Sequence, residues 1–291
     1  MAMDKRKLNV FSLGQVDENV MNEKSGGIVI TNGSAIVQAI DVESNPYISR
    51  GQTYIFHESR MGIVTSGTAE LEVNLTSHHL SLGDIITMPA ESIVTIKDFS
   101  NDYKLSALLF PENTPVFDVI HISAENDAQG DIADLYNRLW SICTHTPDRK
   151  TVIIHLQQAI IATLKAIQQE VLSSSQANTH SNRQEEILYR FKQLVSRHAA
   201  HERSVNFYAS QLFVSPGYLM TIISKMSGKS VRAWVDQASI LYAKALLAQT
   251  NMQIGEVAEK LNFPTQTAFT RYFKHHTGTT PFNYRQSLLL K

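Results

Sequence analysis

Gln266, Thr267, Thr270, Arg271 and Lys274 alternate with an apolar set, Ala268, Phe269, Tyr272 and Phe273. At helical spacing the polar five share one face and the apolar four the other. The polar face has a definite chemistry. Glutamine pairs bidentately with adenine and arginine with guanine, and a threonine methyl touches thymine, all in a DNA major groove. Thr265 stands where an N-cap would start this helix at Gln266. Fifty residues upstream, Gly217, Met220, Thr221 and Ser224 occupy the matching positions. That face is small and uncharged, so it is expected to position and to read weakly, with backbone amides at its helix start holding a phosphate. Phosphate contacts are expected from Lys225, Lys229, Lys274 and Arg285.

These positions lie in a near-repeat. Ala209 and Leu212 match Ala258 and Leu261 at an offset of 49, and Leu219, Gly228, Ser230 and Trp234 match Phe269, Gly278, Thr280 and Tyr284 at 50. The one-residue difference falls in the second turn. A small helix, a tight turn and a second amphipathic helix form a helix–turn–helix unit, and the duplication gives two. Helices are expected at 185–198, 205–212, 216–227, 231–249, 254–261, 266–276 and 281–290. The 231–249 helix joins the units. At 1.5 Å per residue it spans ~28 Å, which suits two reading helices in successive major grooves ~34 Å apart on bent DNA. Trp234, Ile240, Leu241, Leu246 and Leu247 should pack both bundles onto it.

Charge follows the same division. The 291 residues carry a net charge of −1. Residues 184–291 hold 13 Lys and Arg against 6 Asp and Glu, and residues 1–183 hold 13 against 21. A basic C-terminal third is the electrostatic footprint of a phosphate binder, and the acidic remainder must serve another purpose. The single cysteine, Cys143, permits no disulfide within the chain, fits a reducing cytoplasm and reads as a buried apolar residue. No segment approaches the ~18–20 apolar residues of a membrane span, and the N-terminus lacks the apolar core of a secretory signal.

Residues 26–110 alternate short apolar runs with Gly and Asn turns, as in SGTAELEVN, which predicts a β-sandwich or small barrel. The rhythm Gly67, Gly83-Asp84, Pro89 resembles the cupin barrels. Two helices follow, one with Ile132, Leu135, Leu139 and Ile142 on a face, the other with Ile153, Leu156, Ile160, Leu164, Ile167 and Val171. The second stripe is wide enough either to pack on the barrel or to form a dimer interface. Ser173–Gln184 is polar and Ser-rich and reads as a linker. The expected division is 1–123 sensor barrel, 124–172 helical dimerisation segment, 173–184 linker and 185–291 DNA-binding domain.

A barrel of this kind can hold a metal and act as an enzyme, and His57, the pair His78-His79, and His121 are the candidate ligands. Adjacent residues on a strand point to opposite faces, so His78 and His79 cannot both ligate one ion. No phosphate loop, G-x-S-x-G or CxxC is present. No catalytic residue, metal or cofactor is therefore expected, and a metal-dependent enzyme with a DNA-binding tail is the rival reading. Tyr47, Tyr54 and His57 are the polar-tipped candidates for an effector pocket.

The segment AKALLAQTNMQIGEVAEKLNFPTQTAFTRYFKHHTGTTPFNYR resembles the AraC family of bacterial transcription regulators. Nearly every fixed point of that family's pattern is met, from Ala243-Lys244 to Pro281 and Tyr284-Arg285. The resemblance covers roughly residues 200–290. It implies an α+β multidomain chain, with an N-terminal cupin-like β-barrel and packed helices, then an all-α domain of two helix–turn–helix units. It also implies a bacterial, cytoplasmic, sequence-specific DNA-binding regulator. Its partners would be double-stranded DNA, a second copy of the chain, a small-molecule effector and, for an activator, RNA polymerase. Three sites depart from the pattern. Ser239 stands where the family has Arg, and Asn262 where it has Gly. In the first unit Thr221, Ile223 and Ser224 replace Arg, Phe and Lys, and Ile223 keeps a core role.

Overall fold

The computed structural model describes residues 27–31, 34–45, 48–111, 114, 118–176 and 181–289. The described residues divide into two compact units, one within 27–52 and 56–174, the other of 175–289 together with the short stretch 53–55.

Ten strands occur among the described residues of the N-terminal part: β1 (Gly27–Thr31), β2 (Ser34–Asp41), β3 (Thr53–Phe56), β4 (Arg60–Ser66), β5 (Ala69–Val73), β6 (Thr76–Leu80), β7 (Ile85–Met88), β8 (Ser92–Phe99), β9 (Lys104–Leu109) and β10 (His121–Ile122). They form a six-stranded sheet in the order β1-β2-β9-β4-β7-β10 and a four-stranded sheet in the order β3-β8-β5-β6. The expected closed barrel is therefore corrected to two sheets. Closure needs one continuous ladder, and among the described residues the two sheets share none. Bulges interrupt the registers of β2 with β9, β4 with β9 and β5 with β8. At one margin side chains meet instead, with His78 of β6 edge-on to His121 of β10 at 6.1 Å between ring centroids.

The glycine turns are sterically required. Gly67 has φ +70°, and a Cβ there would sit 2.9 Å from the Tyr103 backbone. At Gly83 (φ +88°) a Cβ would approach that of Ala124 to 2.8 Å. Asp84 beside it accepts hydrogen bonds from the Ser81 and Ala124 amides and pairs with His121 at 3.1 Å. Burial works to raise its pKa, but these bonds prevail and hold the carboxyl below its usual range.

Helices α1 (Asp127–His145) and α2 (Lys150–Gln176) follow. Ile132, Tyr136, Leu139, Ile142 and Cys143 of α1 join one core with Ile36, Met61, Ile85 and Leu108 of the six-stranded sheet. The α2 stripe joins it too: Ile153, Ile160 and Leu164 are fully buried and Ile167 nearly so, with Leu156 packed alongside. Of the two roles open to that stripe, packing on the sheet is the one it performs. The Val171 side chain at its end lies outside the described residues. Backbone helix also runs into the segment read as a linker, since α2 reaches Gln176 and the next helix starts at Ser181. The residues between lie outside the described set. No helix among the described residues is long and apolar enough to cross a membrane.

The C-terminal unit is all helix: α3 (Ser181–His198), α4 (Val205–Gln211), α5 (Pro216–Ser227), α6 (Val231–Gln249), α7 (Ile254–Lys260), α8 (Gln266–Thr277) and α9 (Pro281–Leu289). Trp234, Ile240, Leu246 and Leu247 of α6 are buried, as expected, and Leu241 is half-buried.

The repeat is visible bond by bond. The α4 and α7 helices both end in a Schellman turn, with Val214 N bonded to Ala209 O and Phe263 N to Ala258 O. The left-handed residue of these turns is Phe213 in one and Asn262 in the other, each at φ +55°. Asparagine accepts that backbone readily, and its side-chain amide also donates to His201 O. Phenylalanine does not, and Phe213 is 93% exposed, so packing gives nothing back. Phe213→Asn is expected to stabilise the unit by roughly 1 kcal/mol. A thermal melt in which the variant unfolds at or below the wild-type temperature would remove this account of the turn.

Candidate nucleic-acid interface

Both reading helices start the same way. Thr265 accepts from the Ala268 amide to cap α8, as the sequence predicted, and the Ser215 side chain, which the sequence reading did not single out, accepts from the Tyr218 amide to cap α5. Gly228 and Gly278, both left-handed, end them. Leu219 and Ile223 anchor α5 and Phe269 and Phe273 anchor α8, as expected; Ile222 is buried as well, while Ala268 and Tyr272 of the expected α8 core face are only half-buried.

The outward face of α8 presents Gln266, Thr267, Arg271 and Lys274 to solvent, with Thr270 half-buried. The corresponding face of α5 exposes Gly217, Met220, Thr221 and Ser224. Thr221 Oγ1 donates back to Gly217 O at 2.9 Å, so its hydroxyl proton is engaged within the helix. Tyr218, 42% exposed at the start of α5, is a polar-tipped aromatic that sequence reasoning passed over.

The four expected phosphate contacts separate into three kinds. Lys225 and Lys274 are exposed. Lys229 is tethered, its ammonium 3.1 Å from Gln237 Oε1 and 5.0 Å from the Trp234 ring centre. Arg285 is turned inward, and this corrects its expected role. Its Nε donates to Leu247 O at 3.1 Å and Nη1 to Met252 O at 2.6 Å. Leu247 O is among the last carbonyls of α6, which have no partner within the helix, so the guanidinium closes that helix end. Burial lowers the Arg285 pKa.

A second guanidinium holds α7 in place. Arg203 donates to Leu261 O at 2.6 Å and Ala200 O at 3.1 Å, and stacks 3.9 Å over Phe263. Tyr272 of α8 is fixed from the other helix it touches, its hydroxyl donating to Asp236 Oδ1 of α6 at 2.8 Å. Burial first, then this bond, raises its pKa. These ties set the angle at which α8 leaves the domain. Ser239 is 1% exposed and donates to Ala199 O, so the position where the family carries Arg serves here to join α6 to α3.

In the N-terminal unit the histidines take separate partners. His57 Nδ1 lies 2.7 Å from Glu91 Oε1, His121 pairs with Asp84, and His78 and His79 alternate in exposure along β6. Among the described residues no group of three His, Cys, Asp or Glu side chains is placed to share a metal ion. Of the effector-pocket candidates, Tyr54 is 2% exposed, His57 is held by Glu91, and Tyr47 lies outside the described residues.

Two capped reading helices, mounted on one long helix and flanked by cations, define a double helix–turn–helix DNA-binding domain. A Helix-turn-helix domain family model matches residues 208–287. The arabinose operon regulatory protein of Escherichia coli is 33% identical over 94 residues, 32% of this chain and 32% of that protein. The Msm operon regulatory protein of Streptococcus mutans is 21% identical over 253 residues, 81% of this chain and 84% of that protein. Among solved structures, the C-terminal domain of AraT, a response regulator from Geobacillus stearothermophilus, is similar at 30% identity and a TM-score of 0.34, covering 35% of this chain and 84% of that one. The chain spans about half or less of the length of the first curated relatives it matches. Residues 208–287 thus form a helix-turn-helix domain similar to that of AraC-type transcription regulators.

Proposed function

We propose that this chain is a sequence-specific regulator of transcription that binds double-stranded DNA through both helix–turn–helix units. α8 reads bases with Gln266, Thr267, Thr270 and Arg271, while α5 positions and reads weakly through Gly217, Met220 and Thr221. The observation that carries the reading is the pair of equivalent capped helices, only one of which exposes bidentate side chains. Lys225, Lys229 and Lys274 supply phosphate contacts.

The N-terminal unit acts as the responsive arm, binding a small molecule and associating with a second copy. Contact with RNA polymerase follows if the chain activates. A cytoplasmic location and the absence of enzymatic chemistry belong to the same reading, supported by the likeness of residues 208–287 to helix-turn-helix regulators.

The test is selection of bound duplexes from random DNA by the purified chain, repeated with candidate metabolites. The expected result is recovery of one motif with two parts about a helical turn apart. Recovery of unrelated sequences would remove the base-reading assignment. Stoichiometric metal in the purified chain would favour the rival enzyme.

A further inference from the structure

Alongside α8 runs a groove of about 520 Å³ between this helix and the start of α6, lined by Arg232, Asp236, Arg271, Tyr272, His275 and His276. Arg232 comes from the first turn of α6, and its side chain is 84% exposed. Arg271 stands on the α8 wall and is exposed. The one carboxylate, Asp236, already has three partners. Tyr272 donates to it at 2.8 Å, His276 Nε2 lies 3.8 Å away, and Arg232 Nε lies 3.7 Å away. At that separation Arg232 is only loosely paired and keeps its other donors for a ligand. The groove is thus cationic at its rim, with its single anion compensated at its base.

Its position favours one ligand. A helix with side chains is ~10–12 Å across and fills a major groove ~12 Å wide. The two sugar–phosphate strands then run along the flanks of the inserted helix. Arg271 belongs both to the reading face of α8 and to this groove, so the groove is the flank beside the base contacts. We propose that the α6–α8 groove is a phosphodiester site, in which Arg232 binds the DNA backbone strand bordering the major groove that α8 enters. His275 and His276 offer further imidazole donors at its end. This rests on the DNA-binding reading and deepens it. It adds α6, otherwise a structural strut, to the contact surface and couples backbone grip to the Asp236–Tyr272 bond that sets α8.

The experiment titrates the full chain on its selected duplex and on a scrambled duplex over a salt series. Arg232→Ala is expected to weaken both duplexes alike, by roughly fivefold, and to reduce the salt slope by about one unit. Arg232→Lys, which keeps the charge, should retain the slope. A scan of neutral methylphosphonates along the selected duplex should find one position that weakens wild type but not Arg232→Ala. The high exposure of Arg232 leaves the fold intact on substitution, and unchanged thermal melts verify this. Wild-type affinity and slope in Arg232→Ala would overturn the site, as would a loss confined to the selected duplex, which would mean base reading. If wild type itself binds no duplex, the DNA-binding reading has failed, and the groove assignment falls with it.

Discussion

Arg271→Ala is expected to weaken binding to the selected duplex by tenfold or more and to relax preference at one base pair. A bidentate arginine–guanine contact carries ~1–3 kcal/mol of discrimination. Arg271 is exposed on α8, four residues before the solvent-facing His275 and beside Gln266 and Thr267 on the helix start, where base edges are met. Thr221→Ala, the equivalent change in α5, should cost under about 1 kcal/mol. Its hydroxyl proton already serves Gly217 O, so truncation removes a methyl and at most one accepted bond. Titration of both variants on selected and scrambled duplexes compares them directly. A larger loss of specificity in Thr221→Ala would reverse the division of labour between the units.

Arg285→Ala should unfold the C-terminal unit more easily while leaving the salt dependence of binding unchanged. The guanidinium donates to two carbonyls, Leu247 O and Met252 O, across the end of α6 and the loop beyond. Charge-assisted bonds of this kind contribute ~1.5–3 kcal/mol each, and the half-exposed setting places the total near the low end, about 2 kcal/mol. For a domain of this size that lowers the melting temperature by roughly 10 °C. Lys274→Ala is the contrast. Its side chain is exposed, so it should melt as wild type and flatten the salt slope by about one unit. An Arg285→Ala protein with wild-type stability and a reduced slope would return this residue to the phosphate-binding set.

The helices of the C-terminal unit were legible because their signals are local. Ser215 and Thr265 cap, Gly228 and Gly278 terminate, and the apolar spacing of Leu219, Ile223, Phe269 and Phe273 has the helical period. The direction of Arg285 was not legible, because a surface cation and a helix-closing cation have the same spelling. The orphan carbonyls that attract it come from residues 33 and 38 positions away. The Asp236 cluster was hidden for the same reason. Arg232 and Asp236 are an i,i+4 pair visible on α6, but Tyr272 and His276 reach them from another helix. In the N-terminal unit the strands and the Gly-Asp turn could be read from alternation and glycine. Closure into a barrel could not, since that depends on which strand edges pair. The burial of the α2 stripe likewise depends on the sheet face beneath it rather than on the stripe itself.

The central claim is that exposed polar side chains on α8 convert a basic domain into a sequence-specific one. The ratio of wild-type dissociation constants on the selected and scrambled duplexes, at one physiological salt concentration, tests it most directly. The account predicts a ratio of about 10³ or more, in the range of specific DNA-binding proteins. A ratio near one, with both affinities falling equally as salt rises, would show phosphate binding alone and contradict it.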